Sequence, residues 1–229
     1  MKKWLVIGLL PLLAGCSGIT VLDAKSTTGE EQAYLIWFSL GLMMIVLAVV
    51  FILFARFVIK YRYKKEKDDF LPEDVKGNLK LELTWTILPI ILLIVLAVPT
   101  IQITYDQSPQ TSADADAGMD IGVAAEQFKW TFSQPNGKTE ENKLVLPEGE
   151  TVTLHLSSKD VIHSFWVPAL AGKIDTIPGK QVTYEIKNPK KGTYKGKCAE
   201  YCGIQHANMV FEVRVVSQKA YRTYLEEMK

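Results

Sequence analysis

The sequence predicts a membrane protein in two parts, a two-helix transmembrane hairpin over 33–105 followed by an all-β sandwich or barrel over 120–229. Two uncharged runs of 23 residues each, 33–55 and 83–105, carry the first half of that prediction. At about 1.5 Å per residue, each reaches across a hydrocarbon core of about 30 Å. The second half rests on the change after residue 118 to short alternating runs broken by turn residues. Charge is balanced, with 26 Lys and Arg against 25 Asp and Glu, so there is no basic excess of the kind a nucleic-acid partner selects. Hydrophobic residues make up 48% of the 229, and most of the excess lies before residue 106.

The first fifteen residues read as a secretion signal. Lys2 and Lys3 are followed by a short apolar run over 4–13 and then by small residues. That run is too short to span a bilayer. It ends in Leu13-Ala14-Gly15-Cys16, which resembles the lipobox of bacterial lipoproteins. The resemblance implies cleavage before Cys16 and a lipid on its thiol, so that 16–32 becomes an N-terminal segment held at the membrane lipid.

The two helices are expected over about 33–58 and 82–105. Pro89 and Pro99 sit at positions a membrane helix tolerates. The connection between the helices carries Arg56, Lys60, Arg62, Lys64, Lys65, Lys67, Lys76 and Lys80, whereas the segment after Cys16 carries only Lys25 against Asp23, Glu30 and Glu31. Basic loops stay on the cytoplasmic side. Both ends of the chain are therefore expected on the outer face, and a signal cleaved there predicts the same topology.

Residues 106–119, rich in Ser, Asp, Ala and Pro, read as a linker. Beyond it, strands are expected at 144–146, 151–156, 181–186 and 210–216, with the turn Pro147-Glu148-Gly149-Glu150 between the first two. An amphipathic helix over 217–228 closes the chain.

The chemistry concentrates in Cys198-Ala199-Glu200-Tyr201-Cys202-Gly203-Ile204-Gln205-His206-Ala207-Asn208-Met209. Thiolate, imidazole and thioether together form a soft donor set that suits copper and disfavours calcium or magnesium. A single blue-type copper needs one Cys, two His and a weak Met, so the extra Cys allows a second metal if both thiolates bridge. A disulfide in an oxidising compartment is the competing reading of Cys198 and Cys202. Zinc is another, but it would leave the Met209 thioether idle. Of the other histidines, His155 falls on the polar phase of its strand. His163 precedes the apolar stretch Ser164-Phe165-Trp166-Val167-Pro168 and is the better second imidazole.

The copper loop, Asp160-Val161-Ile162-His163-Ser164-Phe165 and Lys173-Ile174-Asp175-Thr176-Ile177-Pro178-Gly179 together resemble subunit II of the haem-copper cytochrome c oxidases, over nearly the whole mature chain. The resemblance implies a cupredoxin-like domain holding a dinuclear copper centre of the CuA type. In it Cys198 and Cys202 bridge, His163 and His206 each bind one copper, Met209 is a weak ligand, and the Glu200 carbonyl completes the set. The Glu200 carboxylate is expected to reach a magnesium at the boundary with subunit I. Leu81-Glu82-Leu83-Thr84-Trp85 is similar to the start of the family's second helix, where the glutamate stands at the mouth of a proton path into subunit I; this assigns Glu82 that role. The implied function is to accept electrons from cytochrome c and pass them to the haem-bearing subunit I, which reduces oxygen and translocates protons. This chain has no Cys-x-x-Cys-His and no histidine in either helix run, so haem is assigned to the partner.

One segment departs from the family pattern. The family's tryptophan-rich motif, whose first tryptophan takes electrons from cytochrome c, reads Gln127-Phe128-Lys129-Trp130 here. Phe128 and Trp130 are the candidate residues for receiving electrons. Lys187, Lys190, Lys191, Lys195 and Lys197 lead into the copper loop, so an acidic or membrane-tethered cytochrome c is the expected donor. A quinol oxidase subunit II shares the implied fold but lacks the copper ligands. The copper-bearing subunit of a nitric oxide reductase and a copper-delivery lipoprotein are the remaining alternatives.

Overall fold

The computed structural model describes residues 20–63, 74, 76–108 and 119–227. The signal segment, Cys16, most of the basic connection and most of the linker lie outside these residues. The described residues form two compact units: a helical unit within Tyr34–Asp106, and a β unit within Met1–Ala33 and Gln107–Lys229.

The helical unit contains most of helix α1 (Thr27–Tyr61) and all of α2 (Leu79–Asp106). At about 1.5 Å per residue, their 35 and 28 residues exceed the roughly 30 Å of a hydrocarbon core. Side chains such as Phe51, Ile52, Leu93 and Ile101 lie exposed. So much exposed apolar surface on long helices is compatible with lipid, not with water, and the chain is a two-pass membrane protein. Helix α2 runs through both Pro89 and Pro99. Asn78 caps it, its Oδ1 accepting from the N–H groups of Lys80 (3.1 Å) and Leu81 (3.3 Å). Glu82 is exposed in its first turn.

Both helices extend past the uncharged runs, because polar residues in a terminal turn break the hydropathy pattern without breaking the helix. Helix α1 starts at Thr27 rather than 33, since Ser26 caps it and accepts from the Gly29 N–H at 3.0 Å. The opening turns are built into the β unit. Ser26, Thr28 and Ala33 are buried, and Lys25 and Thr27 donate backbone hydrogen bonds to the carbonyls of Ala169 (2.6 Å) and Lys187 (2.9 Å). The Ser26 hydroxyl also donates to the Leu170 carbonyl. Ser26→Ala removes both bonds and should lower stability by about 0.5–2 kcal/mol, read as an earlier thermal unfolding of the chain in detergent.

The β unit packs two five-stranded sheets face to face. The first has strands β1 (Met119–Glu126), β2 (Lys129–Ser133), β3 (Thr139–Glu141), β5 (Val152–Ser158) and β8 (Val182–Ile186), in the order β3-β2-β1-β5-β8. The second has β4 (Lys143–Pro147), β6 (His163–Trp166), β7 (Ile174–Thr176), β9 (Gly192–Cys198) and β10 (Val210–Val216), in the order β4-β10-β9-β6-β7. The pairs β1–β5 and β4–β10 are parallel and the others antiparallel. Inward residues alternate as the two-residue strand period requires: Ile121, Val123 and Ala125 from β1, Leu154 and Leu156 from β5, and Phe211, Val213 and Val215 from β10. Helix α3 (Gln218–Glu227) closes the chain, with the Tyr221 hydroxyl donating to Gln134 Oε1 at 2.7 Å. This is the sandwich expected, of the cupredoxin-like kind.

Candidate metal centre

Two loops at one end of the sandwich deliver the candidate donors. His163 opens β6 and Cys198 ends β9, while Glu200, Cys202, His206 and Met209 come from the connection to β10. Strands β6 and β9 are hydrogen-bonded neighbours with Phe165 opposite Cys198, which brings His163 to the cysteine loop. A short 3-10 turn at His206–Asn208 reverses that loop so that Met209 points back inward.

The donor atoms converge. Cys198 Sγ lies 3.9 Å from Cys202 Sγ, 3.9 Å from His163 Nδ1 and 3.2 Å from the Glu200 carbonyl oxygen. Cys202 Sγ lies 3.7 Å from both His206 Nδ1 and Met209 Sδ. A disulfide bond is about 2.05 Å, so the two cysteines are free thiols and that reading of the loop is set aside. Each sulfur has one imidazole and one weak donor beside it, an arrangement with two equivalent halves. Cys198, Cys202, His163 and Met209 are all buried. The set is soft, dry and paired, which fits copper.

Burial is the first cause that pushes the Cys202 thiol up to about 11, and the neighbouring Cys198 adds to it. A bound cation reverses this balance, because coordination favours the thiolate.

Asp160 orients the imidazole of His163. Its Oδ1 lies 2.8 Å from His163 Nε2 and accepts from the Val161 N–H at 2.7 Å, and its Oδ2 accepts from the Gln127 N–H at 2.7 Å. Burial opposes ionisation of this carboxyl. The hydrogen bonds from Gln127, His163 and Val161 outweigh burial and hold it below the usual range. An ionised carboxylate can only accept, so Nε2 carries the proton and the Nδ1 lone pair is left facing the sulfurs. Asp160→Ala strands a donor on a fully buried ring and should cost roughly 1–3 kcal/mol, measured by urea unfolding of the metal-free chain.

Other candidates fall elsewhere. His155 pairs with Asp120 at 2.8 Å on the opposite sheet and takes no part in the cluster. Trp130, expected with Phe128 to receive electrons, is fully buried, so of the two only Phe128 is open to direct contact with a docking protein. Trp130 faces inward because Lys129 and Thr131 take the outer phase of β2. There its indole meets the rings of His163 (6.1 Å), Phe165 (5.7 Å) and Phe211 (5.5 Å). Phe128 is partly exposed beside the copper loop. The sequence reading missed the roles of Asp160 and Gln127. Asp160, three residues before His163, carried a usable spacing signal; Gln127 carried none.

Comparison with known proteins agrees with this architecture. The family description "Cytochrome C oxidase subunit II, transmembrane domain" matches residues 14–103, and "Cytochrome C oxidase subunit II, periplasmic domain" matches 119–216. The chain is 42% identical to the cytochrome c oxidase subunit 2 of Alkalihalophilus pseudofirmus, covering 99% of this chain and 68% of that relative. It is also 34% identical to the quinol oxidase subunit 2 of Bacillus subtilis, over 99% and 73% of the two lengths. Among solved structures, the periplasmic domain of cytochrome oxidase subunit II from Bradyrhizobium japonicum is similar, with 30% identity, a TM-score of 0.47, and coverage of 50% of this chain and 95% of that one. With both of its parts matched and its whole length shared with such relatives, the chain belongs to the subunit II family of the haem-copper terminal oxidases.

Proposed function

We propose that this subunit accepts electrons from a cytochrome c through a pair of copper ions and delivers them to the haem-bearing subunit I, where oxygen is reduced with proton translocation. The observation that carries this reading is the convergence of two thiols, two imidazoles, a thioether and a carbonyl around one small volume. Bound copper would supply one-electron redox chemistry there. Cys198 and Cys202 would bridge the pair. His163 with the Glu200 carbonyl, and His206 with Met209, would complete the two halves. A rigid, buried ligand set keeps geometry nearly constant between oxidation states, which favours fast electron transfer.

A quinol-fed subunit is the second reading, since relatives of that kind are similar over the same length. A complete soft donor set has no purpose in such a subunit, and this favours cytochrome c. Copper analysis and electron paramagnetic resonance on the chain expressed alone in detergent decide between them. Two coppers per chain sharing one unpaired electron are expected; a chain that refuses copper belongs with the quinol oxidases.

The remaining assignments rest on the likeness to the family. The Glu200 carboxylate, partly exposed beside the donor set, is proposed to reach a magnesium shared with subunit I. Glu82 is placed at a proton path, and Phe128 where electrons arrive. Cys16 is taken as lipid-anchored, with the basic connection inside the cell and the β unit outside.

Lys195 and Lys197 are exposed on β9 directly before Cys198, and the Lys197 ammonium sits over the Trp166 ring at 4.6 Å. Charge of this sign beside the site favours an acidic donor. With such a donor, raising salt from low to 0.5 M should slow electron transfer at least about tenfold. A rate that is flat or rises with salt would show that these lysines do not steer the encounter.

A further inference from the structure

The turn between β1 and β2 touches both ligand-bearing loops of the metal centre through a single residue. Gln127 donates its backbone N–H to Asp160 Oδ2 at 2.7 Å, and Asp160 in turn holds His163. The same residue donates its side-chain amide to the carbonyl oxygen of Cys202 at 2.5 Å. The approach is made possible by Gly203, whose φ is +135° and where an added Cβ would stand 3.0 Å from Gln127 Nε2 and 3.1 Å from the Phe128 ring. Gly203 therefore serves two ends, a backbone conformation that side-chain-bearing residues rarely adopt and room for the turn to close over the loop.

We infer that Gln127 is a positioning residue for the metal centre, pinning the Cys202 backbone to the Asp160–His163 arm so that one thiol and one imidazole stay in register. This inference rests on the copper reading of the site. His163 is fixed by the sheet and by Asp160, but the cysteine connection is an excursion with exposed residues, Tyr201 at 74% and Ile204 at 93%. Such an excursion needs an outside tether to hold a ligand in place, and the Gln127 amide is that tether. The backbone half of the link survives any substitution but proline. Changing the side chain therefore isolates the Cys202 half.

Two variants test this: Gln127→Ala, which removes the amide, and Gln127→Glu, which keeps the shape but can no longer donate to the Cys202 carbonyl. In the copper-loaded chain, both should release copper to a chelator about 10-fold faster and alter the hyperfine pattern of the shared-electron signal. The unfolding temperature of the metal-free chain should stay near that of the parent, which separates positioning from bulk stability. Independently of copper, mass spectrometry of the metal-free chain should find Cys202 alkylated by iodoacetamide several times faster in both variants, with Cys198 little changed. Parent-like copper release and spectrum, or unchanged alkylation at Cys202, overturn the inference. If the parent chain binds no copper pair, the proposed function fails by itself, and the alkylation rates still decide whether Gln127 holds the loop.

Discussion

Replacing Cys202 with Ser should abolish the shared-electron copper signal and reduce bound copper to one ion per chain or none. Cys202 Sγ lies 3.7 Å from both His206 Nδ1 and Met209 Sδ, and it also faces Cys198 Sγ at 3.9 Å. Removing it takes away the sulfur beside the His206–Met209 half. An alkoxyl oxygen in its place is hard and, at neutral pH, protonated, so it cannot bridge two soft ions. Metal analysis with electron paramagnetic resonance reads the result directly. Two coppers with an intact delocalised signal in Cys202→Ser would mean that the sulfurs do not bridge, and the dinuclear assignment would have to be withdrawn.

Trp130→Ala is expected to destabilise the β unit by about 3–5 kcal/mol, the cost of emptying a fully buried aromatic site. The ring sits where both sheets meet the metal centre, against Phe165 and Phe211 of the facing sheet and edge-on to His163. Among the described residues its Nε1 has no hydrogen-bond partner, so its contribution is one of packing. The cavity would lie beside His163, and the copper spectrum should broaden as the imbalance reaches that ring. Denaturant unfolding gives the magnitude. A loss below about 1 kcal/mol would mean that the site collapses freely, contrary to a close-packed aromatic cluster. Because Trp130 is internal, a loss of donor oxidation in this variant would report a disturbed centre rather than a lost docking contact; Phe128→Ala is the substitution that probes docking.

How much could be read in advance depended on how local each signal was. The membrane helices were legible because a bilayer imposes an uncharged stretch of fixed length, although their polar end turns were not. Strand β5 was legible through alternation of polar and apolar residues, and β4, β8 and β10 as short β-rich runs set off by turns. Strand β9 was not. Its inward residue Gly196 gives way to the Phe211 ring, which stands where a Cβ would be, while Lys195 and Lys197 take the outer face, so no apolar rhythm marks the strand. Four side chains of the metal centre were legible as a group because they share one connection of twelve residues.

The sequence by itself determined the two-part architecture, the uncharged spans and the chemistry of the donor set, since each depends on residue type and short spacing alone. Only the tertiary structure decided that the two thiols are apart rather than bonded, that Trp130 is interior, and that Asp160 and Gln127 brace the ligands. The bracing depends on three loops, separated by 33 to 75 residues in the chain, being brought to one end of a sandwich by strand pairing. Hydrogen bonds of that range leave no periodic trace in the chain, because the two partners meet only after both sheets have formed.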